Sequence, residues 1–254
     1  MPIDAQKVQA VHAEVRGYFK GQPKAGNKGY HPLPAEALNK HDAKKPAVFK
    51  PAHWKIVPGH AQRAQRKLDI DFVDRNIGKL RGDLQSSSVT ENGFKVLDQP
   101  VLIGNCNEMA EAAAYLVVLR RAGTPWIVTV EDPGDHVFCM VTDGRTPKIA
   151  SVNEFALDFS GAWVIDPWAN VCCEVRAFAM EFSAQMASWK KQGKFVFDVK
   201  DAKIDPASQA YLGGFLNSQL EYTRIVDYLP PGLPRAVRER KNADFQSRPG
   251  AVGI

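Results

Sequence analysis

The sequence predicts an α+β fold, one buried helix packed on an antiparallel sheet, and three observations predict it. Residues 109–119 are apolar at nearly every position, from Met109 and Ala110 through Ala112, Ala113, Ala114 and Tyr115 to Leu119; a helix apolar on nearly all sides is a buried one. Directly after it the apolar period shortens from 3.6 to 2, the signature of strands. The strands that follow are joined by short turns, which implies antiparallel neighbours.

Residues 4–20 read as a first helix, with Asp4 placed to cap it and Val8, Val11, Val15 and Tyr18 at helical spacing. From Gly21 to His60 the periodicity is lost. Six prolines (Pro23, Pro32, Pro34, Pro46, Pro51, Pro58) and scattered lysines predict an extended arm, while Tyr30, Phe49 and Trp54 are costly to leave in water. A second helix is expected over 61–84, with Leu68, Phe72, Val73, Ile77, Leu80 and Leu84 on one face. Ser86-Ser87-Ser88 and Asn92-Gly93 then predict a loop and turn.

The buried helix has a marked start. Asn105 is a favourable N-cap, and Glu108 three residues on completes the spacing of a capping box. Arg120 and Arg121 in the last turn, then Gly123 and Pro125, mark its stop. Strands follow at 126–130, at 136–142 and at 162–166, the last ended by Pro167; Glu131 to Asp135 reads as a turn, and Asp143-Gly144 as a hairpin-type turn. Helical patterns return at 176–192, stopped by Gly193, and more weakly at 206–227, interrupted by Gly213-Gly214. The chain from Pro230 onward is Pro-, Arg- and Gly-rich and reads as loose.

With 254 residues, 44% apolar and 24% charged, the chain has the composition of an ordinary globular protein with one sizeable core. Its four cysteines (Cys106, Cys139, Cys172, Cys173) contain no CxxC pair, which argues against a zinc ribbon or a stapled secreted fold and favours a reducing compartment. The N-terminal residues lack an apolar leader core and no stretch nears ~18 consecutive apolar residues. A cytoplasmic location, or export without a cleaved signal, is expected. Charge is uneven: 13 Lys and Arg face 5 Asp and Glu through residue 69, and 20 face 23 beyond it. A basic segment suits an acidic partner or an anionic membrane surface. No groove-reading motif accompanies it, so no specific nucleic acid is expected.

The chemistry-bearing residues come in order. The predicted helix frame puts Cys106 at the first helical position, where unpaired N–H groups and the positive dipole end favour a thiolate. His136 opens a strand, Asp166 ends one, and a nucleophilic thiol needs both a base and a group that orients the base. Cys139, an odd number of residues after His136, faces the other side of its strand and reads as core. Histidines 12, 31, 41, 53 and 60 lack partners at metal-ligand spacing, so no metal and no cofactor are expected. The backbone N–H of Cys106 is the nearest oxyanion donor, with Gln99 or Asn105 as the candidate second. Trp168 either lines a cleft or packs.

Gly104-x-Cys106-x-Glu108-x-Ala110, then Asp135-His136-Val137-Phe138, then Trp163-Val164-Ile165-Asp166-Pro167 resembles the transglutaminase-like core of the papain-like cysteine hydrolase superfamily. The resemblance covers about residues 100–175. It implies a papain-like fold, to which the charge and spacing of the chain's start add a basic, helical N-terminal extension, and it makes Cys106 the nucleophile, His136 the general base and acid, and Asp166 the orienting residue. Two departures stand out: Phe138 where many members carry Trp, and Trp168-Ala169-Asn170 after Asp166-Pro167. The Asp-His box with the Asp-Pro-Trp ending is more similar to bacterial effector and toxin members, several of which deamidate or cleave host proteins. The expected division is a basic arm at 1–60, a transglutaminase-like catalytic domain at 61–229 and a tail at 230–254. The expected activity is thiol-dependent acyl transfer on protein amides, with glutamine or asparagine deamidation favoured. A papain-like protease or a protein-crosslinking transglutaminase shares the mechanism, and a binding module with a vestigial triad is the non-enzymatic alternative. A small-molecule amine acyltransferase is disfavoured, because no Arg-Gly-Gly precedes the Cys box.

Overall fold

The computed structural model describes residues 2–20, 22–23, 27–31, 47–48, 56–57, 60–84, 88–131, 135–158, 160–197, 202–225 and 229–246. The expectations for prolines 32 to 58, for Phe49 and Trp54, for the turn at 132–134 and for the last eight residues fall outside these.

The centre is a helix, α4 (Cys106–Arg120), whose residues from Glu108 to Val117 are all buried. Its first residue is the predicted one. Asn105 and Glu108 form the capping box, with the Asn105 N–H donating to Glu108 Oε2 at 2.7 Å. Gly104 stands where a Cβ would lie 2.6 Å from Glu108 Cβ, so the box needs glycine just before the cap. The helix ends as expected, but the left-handed C-cap is Arg121 (φ 53°) rather than a glycine.

Before it run α1 (Ala5–Tyr18), β1 (Lys28–Tyr30), β2 (Ala47–Val48), β3 (Ile56–Val57), α2 (His60–Leu84) and α3 (Val89–Asp98). Asp4 caps α1 through the Lys7 N–H, as expected. Two expectations are corrected here. First, α1 is no appendage: Val8, Val11 and Val15 have no exposed surface and pack into the main core, against α4. Second, Asn92-Gly93 is not a turn but sits within α3, which Ser88 caps by accepting from the Glu91 N–H. The glycine is there for proximity. A Cβ at Gly93 would meet Glu111 O at 2.3 Å and Tyr115 Cβ at 2.6 Å, so α3 and α4 approach backbone to backbone. On α2, Leu68 leaves the expected apolar face and is 61% exposed.

After α4 come β4 (Thr124–Val130), β5 (His136–Thr142), a 3₁₀ turn at Val152–Leu157, β6 (Trp163–Asp166), β7 (Val171–Glu174), a 3₁₀ turn at Val175–Ala177, α5 (Phe178–Lys191), β8 (Lys194–Phe197), β9 (Lys203–Ile204), α6 (Gln209–Asn217), β10 (Leu220–Arg224) and α7 (Arg235–Gln246). The main sheet has the order β10-β4-β5-β6-β7 and every pairing is antiparallel. The fold is therefore α+β, as expected. A second sheet, β1-β8-β9, joins the arm to the chain after α5.

Four further readings are corrected. Asp143-Gly144 ends β5 but does not close a hairpin, because a long connection with a 3₁₀ turn separates β5 from β6. Strand β7, short and only partly apolar, went unread. The segment 206–227 is a helix with Gly213-Gly214 inside it and then a strand, β10, that pairs with β4. The tail is not loose throughout, since α7 buries Val237. Among the described residues no helix is long and apolar enough to cross a membrane.

Candidate active site

Register decides whether His136 and Asp166 can meet. Cys139 pairs with Ile165, Met140 with Val164 and Val141 with Trp163. Continued by one step, that ladder sets Asp166 opposite Phe138, which makes it the diagonal neighbour of His136 on the same face. The imidazole spans the diagonal: His136 Nε2 lies 2.7 Å from Asp166 Oδ2. The other carboxylate oxygen, Oδ1, accepts the Ala169 N–H at 2.8 Å. That turn is closed by Asn170 at φ 63°, a conformation asparagine tolerates. Asp166 is fully buried and His136 nearly so.

The Cys106 side chain lies near enough to the imidazole to act on its charge. With Nε2 committed to Asp166, Nδ1 is the ring nitrogen left for the sulfur. Imidazole and carboxylate are hydrogen-bonded, the sulfur lies near them, and Cys106 itself is only partly buried. Burial by itself would push the His136 pKa down, but the Asp166 charge and hydrogen bond, with the contact to Cys106, lift it to about 10. The direction favours the imidazolium.

Aromatic rings enclose the imidazole. Trp168, Phe182, Phe215 and Phe138 have ring centroids 5.0, 5.5, 5.6 and 6.2 Å from it. This shell keeps water from the His136–Asp166 pair, where the low dielectric strengthens it. Trp168 is only 2% exposed, so it packs as a wall behind the imidazole and offers a cleft almost no surface.

The two expected oxyanion donors part company. Asn105 adjoins the sulfur, but its Oδ1 accepts the Asn27 N–H at 3.4 Å and the residue serves as the helix cap. Gln99 ends α3 and lines a cavity of about 720 Å³ between α2 and α3, with Phe72, Leu80 and Phe94. Its Nε2 is buried without a hydrogen-bond partner there, and Cys106, His136 and Asp166 do not line that cavity. Cys139 is fully buried, as read, and burial raises its pKa far above the usual thiol range.

Sequence reading missed the contribution of the arm. Asn27 Oδ1 accepts the Trp168 indole N–H at 2.8 Å. Lys28 Nζ donates to Trp168 O at 2.6 Å, and Arg16 Nη1 to Pro167 O at 3.0 Å. Two cations and an asparagine from the first 28 residues therefore hold the turn that carries Asp166. Nothing periodic marks Asn27 or Lys28, so no local signal could have found them. Arg81, paired with the buried Glu108 at 2.8 Å, and Tyr211 also lie close enough to Cys106 for its charge to act on them. Among the described residues no group of three or more His, Cys, Asp or Glu is placed to hold a metal ion. Comparison with family models, with curated proteins and with solved structures found no match to this chain.

Proposed function

We propose that this chain is a thiol acyl-transfer enzyme with a core of the papain-like, transglutaminase-like kind, and that it deamidates glutamine or asparagine side chains of a protein substrate. One observation carries the reading: a buried imidazole hydrogen-bonded to a buried carboxylate stands near a partly exposed sulfur at a helix start. An imidazolium beside the sulfur supplies the counter-ion a thiolate nucleophile needs.

In the reaction the Cys106 sulfur attacks the amide carbonyl, and the carbonyl electrons move to oxygen. The oxyanion is met by the free N–H groups at the start of α4. His136 gives its proton to the departing nitrogen, ammonia leaves, and a thioester remains on Cys106. Neutral His136 then takes a proton from water as the water attacks the thioester, which releases the carboxylic acid and restores thiolate and imidazolium. Asp166 holds the ring in place throughout.

The test is ammonia release from casein, with the product read by intact mass. Wild-type protein releases ammonia and leaves the casein chain uncut. Cys106→Ser and His136→Ala lower the rate by about 10³-fold or more, and Asp166→Asn retains more of it than either. Fragments in place of ammonia assign a protease, and equal ammonia release by wild type and Cys106→Ser rejects the reading.

A further inference from the structure

A second feature lies around Lys28, whose ammonium stands over the Trp168 ring. A cavity of about 620 Å³ is lined by Arg16 of α1, Lys28 of β1, Arg66 of α2 and Lys194 of β8, with Trp189 of α5 as an aromatic wall. Among its lining residues Asp69 is the one acid, so four cations face a single carboxylate. Its size falls within the ~300–1,000 Å³ typical of ligand sites.

The cations are fixed by the fold. Lys28 Nζ sits 4.5 and 4.7 Å from the ring centres of Trp168 and Trp189, and Lys194 Nζ lies 4.8 Å from that of Trp189. Arg66 donates through Nε and Nη2 to Lys28 O, at 3.1 and 2.8 Å, and through Nη1 to Pro23 O at 2.7 Å. Cations held in register cost little further ordering when an anion arrives. They also work against one another: burial first, then the charges of Lys194, Arg66 and Arg16, press the Lys28 ammonium to release its proton. A bound anion relieves that strain, which an empty basic surface would not need.

The cavity is linked to the start of α4 through one residue. Lys28 follows Asn27, whose N–H meets Asn105, the residue before Cys106, and whose side chain holds Trp168. We infer that this cavity is a subsite for carboxylate side chains, and that the protein segment presented to Cys106 is acidic. The substrate class rests on the acyl-transfer reading; the carboxylate subsite does not. A concave pocket with Gln185 and other amides on its wall suits discrete carboxylates, whereas an anionic lipid surface suits a flat basic face.

The test measures binding of a fluorescent oligoglutamate peptide to the full chain at low salt, with oligoglutamine as comparator. Oligoglutamate binds at least about tenfold more tightly. Lys194→Gln together with Arg16→Gln weakens it by about tenfold or more. Because Arg16 also holds the Pro167 carbonyl, Gln185→Glu provides a second route: it adds a carboxylate at the wall, breaks no bond of the turn, and weakens oligoglutamate binding to a similar degree. Cys106→Ser binds oligoglutamate as wild type does. Equal binding of the two peptides, or binding that ignores both Gln185→Glu and the double variant, overturns the subsite. So does capture by phosphatidylserine vesicles without peptide binding. A turnover-competent enzyme that ignores oligoglutamate removes the subsite alone; an inert protein that binds it removes the acyl-transfer reading alone.

Discussion

One turn inside α4, Glu111 is, with Glu108, one of two buried carboxyl groups in a largely apolar helix, and it is 6% exposed. Asn92 Nδ2 donates to its Oε1 at 2.9 Å, while Oε2 has no partner. Burial raises its pKa to about 7, against the smaller opposing pull of Asn92. The unfolded chain loses this proton near pH 4.5 and the folded chain holds it to about 7. Stability therefore falls as pH rises through that window and stays lower above it. Glu111→Gln keeps the bond from Asn92 and removes the charge, so it raises stability above pH 7 by on the order of 2 kcal/mol and changes little below pH 4.5. Urea unfolding at the two pH values checks this; a Gln variant equally destabilised at both would contradict it. His136 differs in kind, because the charge and hydrogen bond of Asp166, together with Cys106, outweigh its burial and favour keeping the proton.

Glycines separate two kinds of helix contact at the scale of elements. Gly93 of α3 lies against the Glu111 carbonyl and the Tyr115 Cβ, whereas a Cβ at Gly78 of α2 would meet nothing within 4 Å. Gly93→Ala costs about 3 kcal/mol by forcing α3 off α4, and Gly78→Ala gains about 0.5–1 kcal/mol through helix propensity. Thermal melting of the pair reads both signs. The contrast also explains what was legible in the sequence. The α4 helix, its cap and strands β4 to β6 could be read because each carries its own periodicity or capping chemistry. Helix α3 could not, because Asn92-Gly93 spells a turn locally and only the close approach of α4 makes it helical. Strand β10 was hidden likewise: Leu220 to Arg224 alternate weakly, and pairing with β4 settles their state. His136 and Asp166 were legible in order and in element; their meeting depended on a register that no single strand encodes.

Over the whole molecule, the N-terminal segment is built into the core and the candidate site together. Val8, Val11 and Val15 are fully buried, and Glu14 accepts from Arg120 at the end of α4 at 2.6 and 3.1 Å. Arg16 and Lys28 hold the turn after Asp166. Deleting residues 1–20 exposes an apolar face worth roughly 5–10 kcal/mol, comparable with a domain's whole margin of ~5–15 kcal/mol. The truncated chain loses cooperative melting; a wild-type midpoint after truncation would show α1 to be dispensable. The central claim is that His136 and Asp166 make Cys106 a nucleophile, and alkylation by iodoacetamide at pH 6.5, followed peptide by peptide, tests it most directly. Cys172 and Cys173 are internal references, since burial lifts both thiols to about 12. Cys106 is predicted to react first of the four and to slow at least about tenfold in His136→Ala. A Cys106 that reacts no faster than Cys172, or at one rate in wild type and His136→Ala, would contradict it.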